Sequence, residues 1–146
     1  GFLIADVIGM EAAEIAGVLK KYELDLISLI APTTTDERLE QIARNSSGFL
    51  YAVSRAGVTG ARTEVTNEAE VLVNRARKVT DMPIAVGFGI STKPHIEHVW
   101  QYADAAVVGS AIVNEIAKND GQSVVKRVET FVGGLLPVVA KGETNP

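Results

Sequence analysis

The 146-residue sequence contains no cysteine and only two histidines, His95 and His98. The absence of cysteine excludes disulfide bonds, thiolate metal sites and a cysteine nucleophile. A histidine-based triad or a histidine-rich metal site would have to use His95 or His98. These two lie three residues apart on a predicted helix, beside Lys93 and Glu97. We therefore interpret both as solvated side chains, and we expect no metal site.

The sequence also lacks an excess of positive charge and a long apolar run. It has 14 basic against 18 acidic residues and a net charge of −4, which argues against a nucleic-acid or anionic-membrane surface. No apolar run approaches the roughly 20 residues that span a bilayer, and the chain has no signal-like start. We therefore expect a cytoplasmic protein with neither a nucleic-acid nor a membrane partner.

What the sequence does have is a regular alternation of short apolar runs and longer amphipathic runs. With 47% hydrophobic residues, the chain can bury the core of one domain. The apolar runs are near-continuous, which is typical of parallel strands that are covered on both faces. They predict five strands, over residues 2–7, 25–30, 49–53, 83–86 and 105–108. Most of these strands begin about 22 residues apart, enough for one βα unit, but about a dozen extra residues follow the third.

The amphipathic runs predict the helices between these strands. Thr34 lies three residues before Glu37, a spacing typical of a capping box, and Asn67 has the same relation to Glu70. Pro94 fits the first turn of a helix, where its missing N–H costs nothing. The first two predicted helices cover residues 11–21 and 34–46. The third begins at Asn67 and the fourth near Pro94, and the last two cover residues 110–118 and 123–141.

This repeat predicts an α/β fold with a parallel sheet. Five strands do not close a (β/α)8 TIM barrel, which needs eight strands and typically about 250 residues. We interpret residues 1–141 as the carboxyl-terminal part of a single (β/α)8 barrel domain, an incomplete barrel of about five βα units. Residues 142–146 are expected to be a disordered tail. The repeat leaves a doubly wound five-stranded sheet open as the alternative.

Three of the predicted strands run into glycine-containing segments, at residues 54–60, 87–91 and 109–111. Parallel α/β proteins place their ligands at the carboxyl ends of the strands. Glycine lets backbone N–H groups approach an anion, and a helix beginning at Ser110 would point its positive end at that anion. These features predict a phosphate site formed by Gly60, Gly89, Gly109 and Ser110, although glycines that only make tight turns are the simpler alternative.

Five segments of the chain also resemble one family, in that family's order and spacing. They are FLIADV at residues 2–7, IAP at 30–32, YAVSRAGVTG at 51–60, GFGIS at 87–91 and GSAIV at 109–113. The string SRAGVTG is the most specific of them. Over essentially its whole length the chain is similar to the α subunit of tryptophan synthase, in the part that forms strands four to eight of that family's barrel.

The resemblance implies an activity and a partner. That family serves tryptophan biosynthesis by cleaving indole-3-glycerol phosphate, in a retro-aldol reaction, to indole and glyceraldehyde 3-phosphate. It implies no cofactor in this subunit, and a tryptophan synthase β subunit as the partner in an α2β2 complex. The family's two catalytic carboxylates lie on the early strands, which this sequence does not contain. We therefore assign no catalytic residue and expect the chain alone to be inactive. Asp6 ends the first predicted strand, where an aspartate more often caps backbone N–H groups, and we interpret it as a structural or interface residue.

The resemblance further implies roles for residues near the strand ends. An aromatic residue at a strand end is more often part of the core, but here the resemblance favours an indole pocket lined by Tyr51, Phe88, Leu29 and Gly87. It also places Arg55 and Thr59 on a lid loop, where Arg55 could otherwise be a surface charge.

Two alternatives remain open at this point. One is another phosphate-binding barrel enzyme, an isomerase or epimerase. The other is a non-catalytic fragment that binds phosphate or a partner chain.

Overall fold

Five parallel strands form one sheet in a computed structural model, which describes residues 1–5, 7, 10–53, 67–87, 89–118, 121 and 123–136. The strand order in space follows the order in the sequence, β1-β2-β3-β4-β5. A doubly wound sheet would reverse this order at a switch point, so that alternative is wrong, and the incomplete barrel is the fold. The strands are β1 (Phe2–Leu3), β2 (Leu26–Ile30), β3 (Leu50–Val53), β4 (Ile84–Gly87) and β5 (Ala105–Val107).

Helices connect successive strands and follow the last one, as the sequence predicts. The four connecting helices are α1 (Met10–Lys21), α2 (Asp36–Asn45), α3 (Asn67–Ala76) and α4 (Lys93–Val99). Two further helices, α5 (Ser110–Ala117) and α6 (Val124–Leu135), come after β5. Among the described helices, none is long and apolar enough to cross a membrane.

The core lies between the sheet and the helices. Because side chains alternate along a strand, Leu50 and Ala52 of β3 and Ile84 and Val86 of β4 share one face, and all four are buried. They pack with buried residues of the helices, namely Leu39, Leu72, Val73, Ile96 and Val99. Tyr51, between Leu50 and Ala52, and Gly87, directly after Val86, therefore belong to the opposite face, which becomes the interior of a closed barrel.

The first strand is shorter than predicted. β1 ends at Leu3, and Ile4 and Ala5 lie outside it. In the described sheet β1 is an edge strand that pairs only with β2, through Phe2 opposite Leu26 and Leu3 opposite Ile27.

The start of α2 also differs from the prediction. Thr35, rather than Thr34, is the N-cap, and its Oγ1 accepts a hydrogen bond from Arg38 N at 3.4 Å. The Thr34 hydroxyl instead accepts from Ala31 N at 3.0 Å and closes the turn after β2. The predicted N-cap is therefore wrong by one residue, because consecutive threonines offer the same side-chain chemistry. The residue three positions after Thr35 is Arg38, not the Glu or Gln of a capping box.

The last helix ends earlier than predicted. α6 stops at Leu135, and Leu136 has an extended backbone, so the predicted end at residue 141 is wrong. The tail that we predicted over residues 142–146 lies outside the described residues.

Candidate functional site

The carboxyl ends of β3, β4 and β5 meet at one edge of the sheet. Parallel pairing places Val53 opposite Gly87, and Gly87 opposite Val107. Gly109 follows Val107 by two residues and is the N-cap of α5. The strand ends that carry the predicted site residues are therefore neighbours in space.

Tyr51 and Gly87 form a close pair on the inner face of the sheet. A Cβ built on Gly87 would overlap the hydroxyl and Cζ of Tyr51, so the phenol ring lies against bare backbone. Burial raises the pKa of the Tyr51 hydroxyl. The ring can take this place only because position 87 is glycine, and the pair forms one wall of the inner face.

Leu29 continues the same wall. It lies on β2 directly opposite Tyr51, and it lines a cavity of about 520 Å³ near the carboxyl ends of the first three strands. Ala31, Thr34 and Val53 also line this cavity. The structure thus brings three of the four predicted pocket residues to adjacent strands, while the fourth, Phe88, lies outside the described residues.

Gly109 and Ser110 form an open helix N-terminus. The carbonyl of Gly109 accepts from the N–H groups of Ile112 and Val113, at 2.9 and 3.1 Å. The N–H groups at the start of a helix have no partner within the helix, and the N-cap of α5, Gly109, makes no side-chain capping bond to them. Both residues are exposed. This arrangement can bind an anion through backbone N–H groups and the positive end of the helix dipole.

Gly89 lies two residues beyond the end of β4. Its φ is 71°, a left-handed conformation that glycine adopts without strain. It is exposed, as Gly109 and Ser110 are. Because β4 and β5 are paired, Gly89 follows one strand and Gly109 follows its immediate neighbour.

Five of the predicted residues lie outside the described residues, namely Asp6, Arg55, Thr59, Gly60 and Phe88.

One residue beside the cavity was missed by sequence reasoning. Arg75 of α3 donates from Nη2 to the Thr34 carbonyl at 2.6 Å and from Nε to Asp36 Oδ1 at 2.8 Å. It also reaches the Pro32 carbonyl at 3.4 Å. The guanidinium thus holds the turn between β2 and α2, part of which lines the cavity. These partners lie about 40 residues away in the sequence, and no local pattern indicates them.

The two histidines do not form a metal site with the described residues. Among those residues, no group of three or more His, Cys, Asp or Glu side chains could hold a metal ion. His95 Nδ1 accepts from Ser91 N at 3.4 Å, and the His98 ring meets the Tyr102 ring edge-on at 5.6 Å. Both side chains are partly buried, so they are less exposed than the solvated side chains that we predicted.

The sequence matches the profile of the tryptophan synthase alpha chain family over residues 1–139. It is 45% identical to the tryptophan synthase alpha chain of Methanocaldococcus jannaschii over 132 residues, which are 90% of this chain and 47% of the relative. It is 46% identical to that of Methanopyrus kandleri over 121 residues, which are 82% of this chain and 44% of the relative. The chain therefore spans about half the length of the curated relatives it matches.

Solved structures show the same relation. Tryptophan synthase from M. tuberculosis in its open form matches with a TM-score of 0.78 and 32% identity, over 92% of this chain and 48% of that one. A mutant tryptophan synthase alpha-subunit from Pyrococcus furiosus matches with a TM-score of 0.80 and 32% identity, over 92% of this chain and 54% of that one. The described sheet is thus the same arrangement of strands as in these proteins.

Proposed function

Because the chain belongs to the tryptophan synthase alpha chain family, we propose that it is the carboxyl-terminal part of an α chain. That α chain cleaves indole-3-glycerol phosphate to indole and glyceraldehyde 3-phosphate by a retro-aldol reaction. The observation that carries the proposal is the open N-terminus of α5. It follows β5, which pairs with β4, the strand that contributes Gly87 to the Tyr51–Gly87 pair. An anion site and an apolar wall on neighbouring strands suit a substrate with a phosphate at one end and a flat ring at the other.

The phosphate end of the substrate lies at the glycine-lined strand ends. Backbone N–H groups near Gly89 and Gly109, with Ser110 at the start of α5, bind its oxygens, and Gly60 completes the site. The free N–H groups and the dipole of α5 favour a doubly charged group.

The indole end lies against the inner face of the sheet. Leu29 and Tyr51 are opposite each other on paired strands, and Gly87 leaves room for the Tyr51 ring. Phe88 adds a second aromatic wall. Burying the apolar ring in such a pocket contributes binding energy at roughly 25 cal/mol per Å² of apolar surface that is removed from water.

The proton transfers come from outside this chain. Cleavage requires a proton donated to the indole ring and a proton removed from the side-chain hydroxyl. We assign both to carboxylates in the half of the relatives' length that this chain does not match. Arg55 and Thr59 belong to a lid over the filled site, and the α chain works without a cofactor of its own. Its partner is a β subunit in an α2β2 complex in the cytoplasm.

The phosphate assignment is tested by Gly109→Ala in a complete α chain that carries these residues. A Cβ at Gly109 meets no described atom within 4 Å, and φ is −116°, so the change should leave folding intact. The methyl group would occupy the space of the anion. We expect KM for indole-3-glycerol phosphate to rise about tenfold, the loss of about 1.4 kcal/mol of binding energy.

The matched control is Gly133→Ala on α6, where a Cβ also meets no described atom within 4 Å. This variant should keep the parent KM. If Gly109→Ala weakened a phosphate-free analogue of the substrate as much as the substrate itself, Gly109 would not bind the phosphate. If the parent protein failed to release indole at all, the proposed activity itself would be wrong.

A further inference from the structure

The short helix α5 has little of its own to fix its direction. It has eight residues, and none of its side chains, all of which the structure describes, is buried. Val113 and Ile116 are 61% and 50% exposed. A helix of this length is not stable by itself in water. The end of β5 fixes where α5 begins, but other contacts must fix where its axis points.

Arg127 of α6 provides such a contact at the far end of α5. Its Nε donates to the Glu115 carbonyl at 2.8 Å, and its Nη2 donates to the Lys118 carbonyl at 2.7 Å. The last carbonyls of a helix have no partner within it, and a cation is favourable at this negative end of the dipole. The guanidinium therefore satisfies the carboxyl end of α5 and leaves its N-terminus open.

The environment of Arg127 makes this contact rigid. Arg127 is 8% exposed and is the one charged residue among those described that is buried. A buried charge is costly unless it is paired and hydrogen-bonded, so a tilt of α5 that stretched these bonds would be opposed. α6 is itself anchored, because Leu135 is in the core and Phe131 packs against it. The core thus fixes α6, and Arg127 of α6 fixes the carboxyl end of α5.

We infer that Arg127 is a positioning residue for the phosphate site, an inference that rests on the proposed function. It lies at the opposite end of a helix about 12 Å long, so it acts on the anion only through the direction of α5. It holds the backbone N–H groups of Ser110 and its neighbours on the phosphate oxygens. This role belongs to a residue that does not touch the substrate.

The test is an NMR titration of one complete α chain with two ligands, inorganic phosphate and indole. The amide signals of Gly109 and Ser110 give the dissociation constant of phosphate, and the ring signals of Tyr51 give that of indole. Arg127→Met should raise the dissociation constant of phosphate about tenfold, because small misplacements of binding groups have effects of this size or larger. The dissociation constant of indole should stay within a factor of two. Arg127→Lys keeps the charge but lacks the planar fork, and its phosphate affinity should lie between those of parent and Arg127→Met.

The matched control is Lys126→Met, which removes one positive charge from the neighbouring, exposed position on α6. It should leave both dissociation constants unchanged, so a general loss of positive charge is distinguished from the loss of the α5 contact. If Arg127→Met fails to fold, Arg127→Lys carries the same comparison.

Equal weakening of phosphate and indole by the Arg127 variants, or no weakening of phosphate, would overturn the inference and leave the proposed function standing. A parent protein that binds indole but not phosphate would overturn both the phosphate site and the role of Arg127.

Discussion

At the scale of single residues, three glycines near the strand ends have three different reasons to be glycine. Gly87 makes room for the Tyr51 ring, and Gly89 has a φ of 71°. Gly109 has neither reason, since its φ is negative and a Cβ there would meet no described atom within 4 Å. The described part of the fold does not require glycine at position 109. A ligand that approaches the backbone does, which supports the phosphate assignment.

The Tyr51–Gly87 contact predicts a strong coupling between the two positions. Gly87→Ala should lower the free energy of unfolding by about 1–3 kcal/mol, since overpacking forces neighbouring side chains out of their preferred rotamers. In a Tyr51→Ala background the same change should cost much less, because the ring that it meets is gone. Urea denaturation of the parent, the two single variants and the double variant of a complete α chain measures the coupling. Additive effects would show that the ring moves aside without cost.

At the scale of elements, local patterns were sufficient for most of the fold. The strands β2, β3 and β4 are indicated by their apolar runs, and the helices between them by amphipathic runs. Each of these signals lies within the element itself. The first and last residues of an element were harder to predict. Thr34 and Thr35 have the same capping side chain, and the edge strand β1 has hydrogen bonds to a neighbouring strand on one side only.

The candidate site was likewise predictable only where its residues form a local pattern. The glycines at the strand ends can be read from the sequence, and the resemblance implies phosphate as their ligand. The contacts of Arg75 with the turn after β2 and of Arg127 with the end of α5 depend on how whole helices pack. No pattern within one element indicates either contact.

Asp104 joins three elements at the amino-terminal end of the sheet. Its Oδ2 accepts from Ile84 N at 2.7 Å, where β4 begins, and from Arg77 Nη2 at 2.8 Å, just after α3. Burial opposes ionisation of the carboxyl group, but these two donors outweigh burial and hold the pKa of Asp104 below its usual value of 3.8. The ionised carboxylate is therefore favoured in the folded protein.

This shift predicts how stability depends on pH. A pKa that is lowered in the folded state stabilises the protein at pH values above the unfolded pKa, and the contribution is lost as the pH falls through the folded pKa. Asp104→Asn should therefore lower Tm at pH 7, and the difference from the parent should shrink below about pH 4. Melting curves of a complete α chain from pH 7 to pH 2.5 measure this difference. A difference that stays constant across the range would show that the carboxylate charge contributes nothing.

At the scale of the whole molecule, the described sheet has two open edges. Phe2 and Leu3 of β1 are 53% and 47% exposed at one edge. At the other edge, β5 pairs only with β4 among the described strands, and Ala105 is exposed. Unpaired strand edges with apolar side chains favour association with other strands. The relatives are about twice as long as this chain, and closing a barrel of eight strands would cover both edges.

Open edges predict that this chain alone associates and does not turn over substrate. Sedimentation of the 146-residue chain should show oligomers that grow with concentration, because each edge can pair with another copy. Cleavage of indole-3-glycerol phosphate should be undetectable, since the loss of a positioned acid or base costs about 10²–10⁴-fold each. Adding the amino-terminal half of the M. jannaschii relative as a separate polypeptide should suppress the oligomers and restore release of indole. The same addition to a Gly109→Ala chain should suppress the oligomers equally but restore less activity at low substrate, because closing the edges does not repair the phosphate site. A chain that sediments as a monomer at high concentration, unfolds in a sharp cooperative transition and cleaves the substrate without the added half would show that five strands are sufficient.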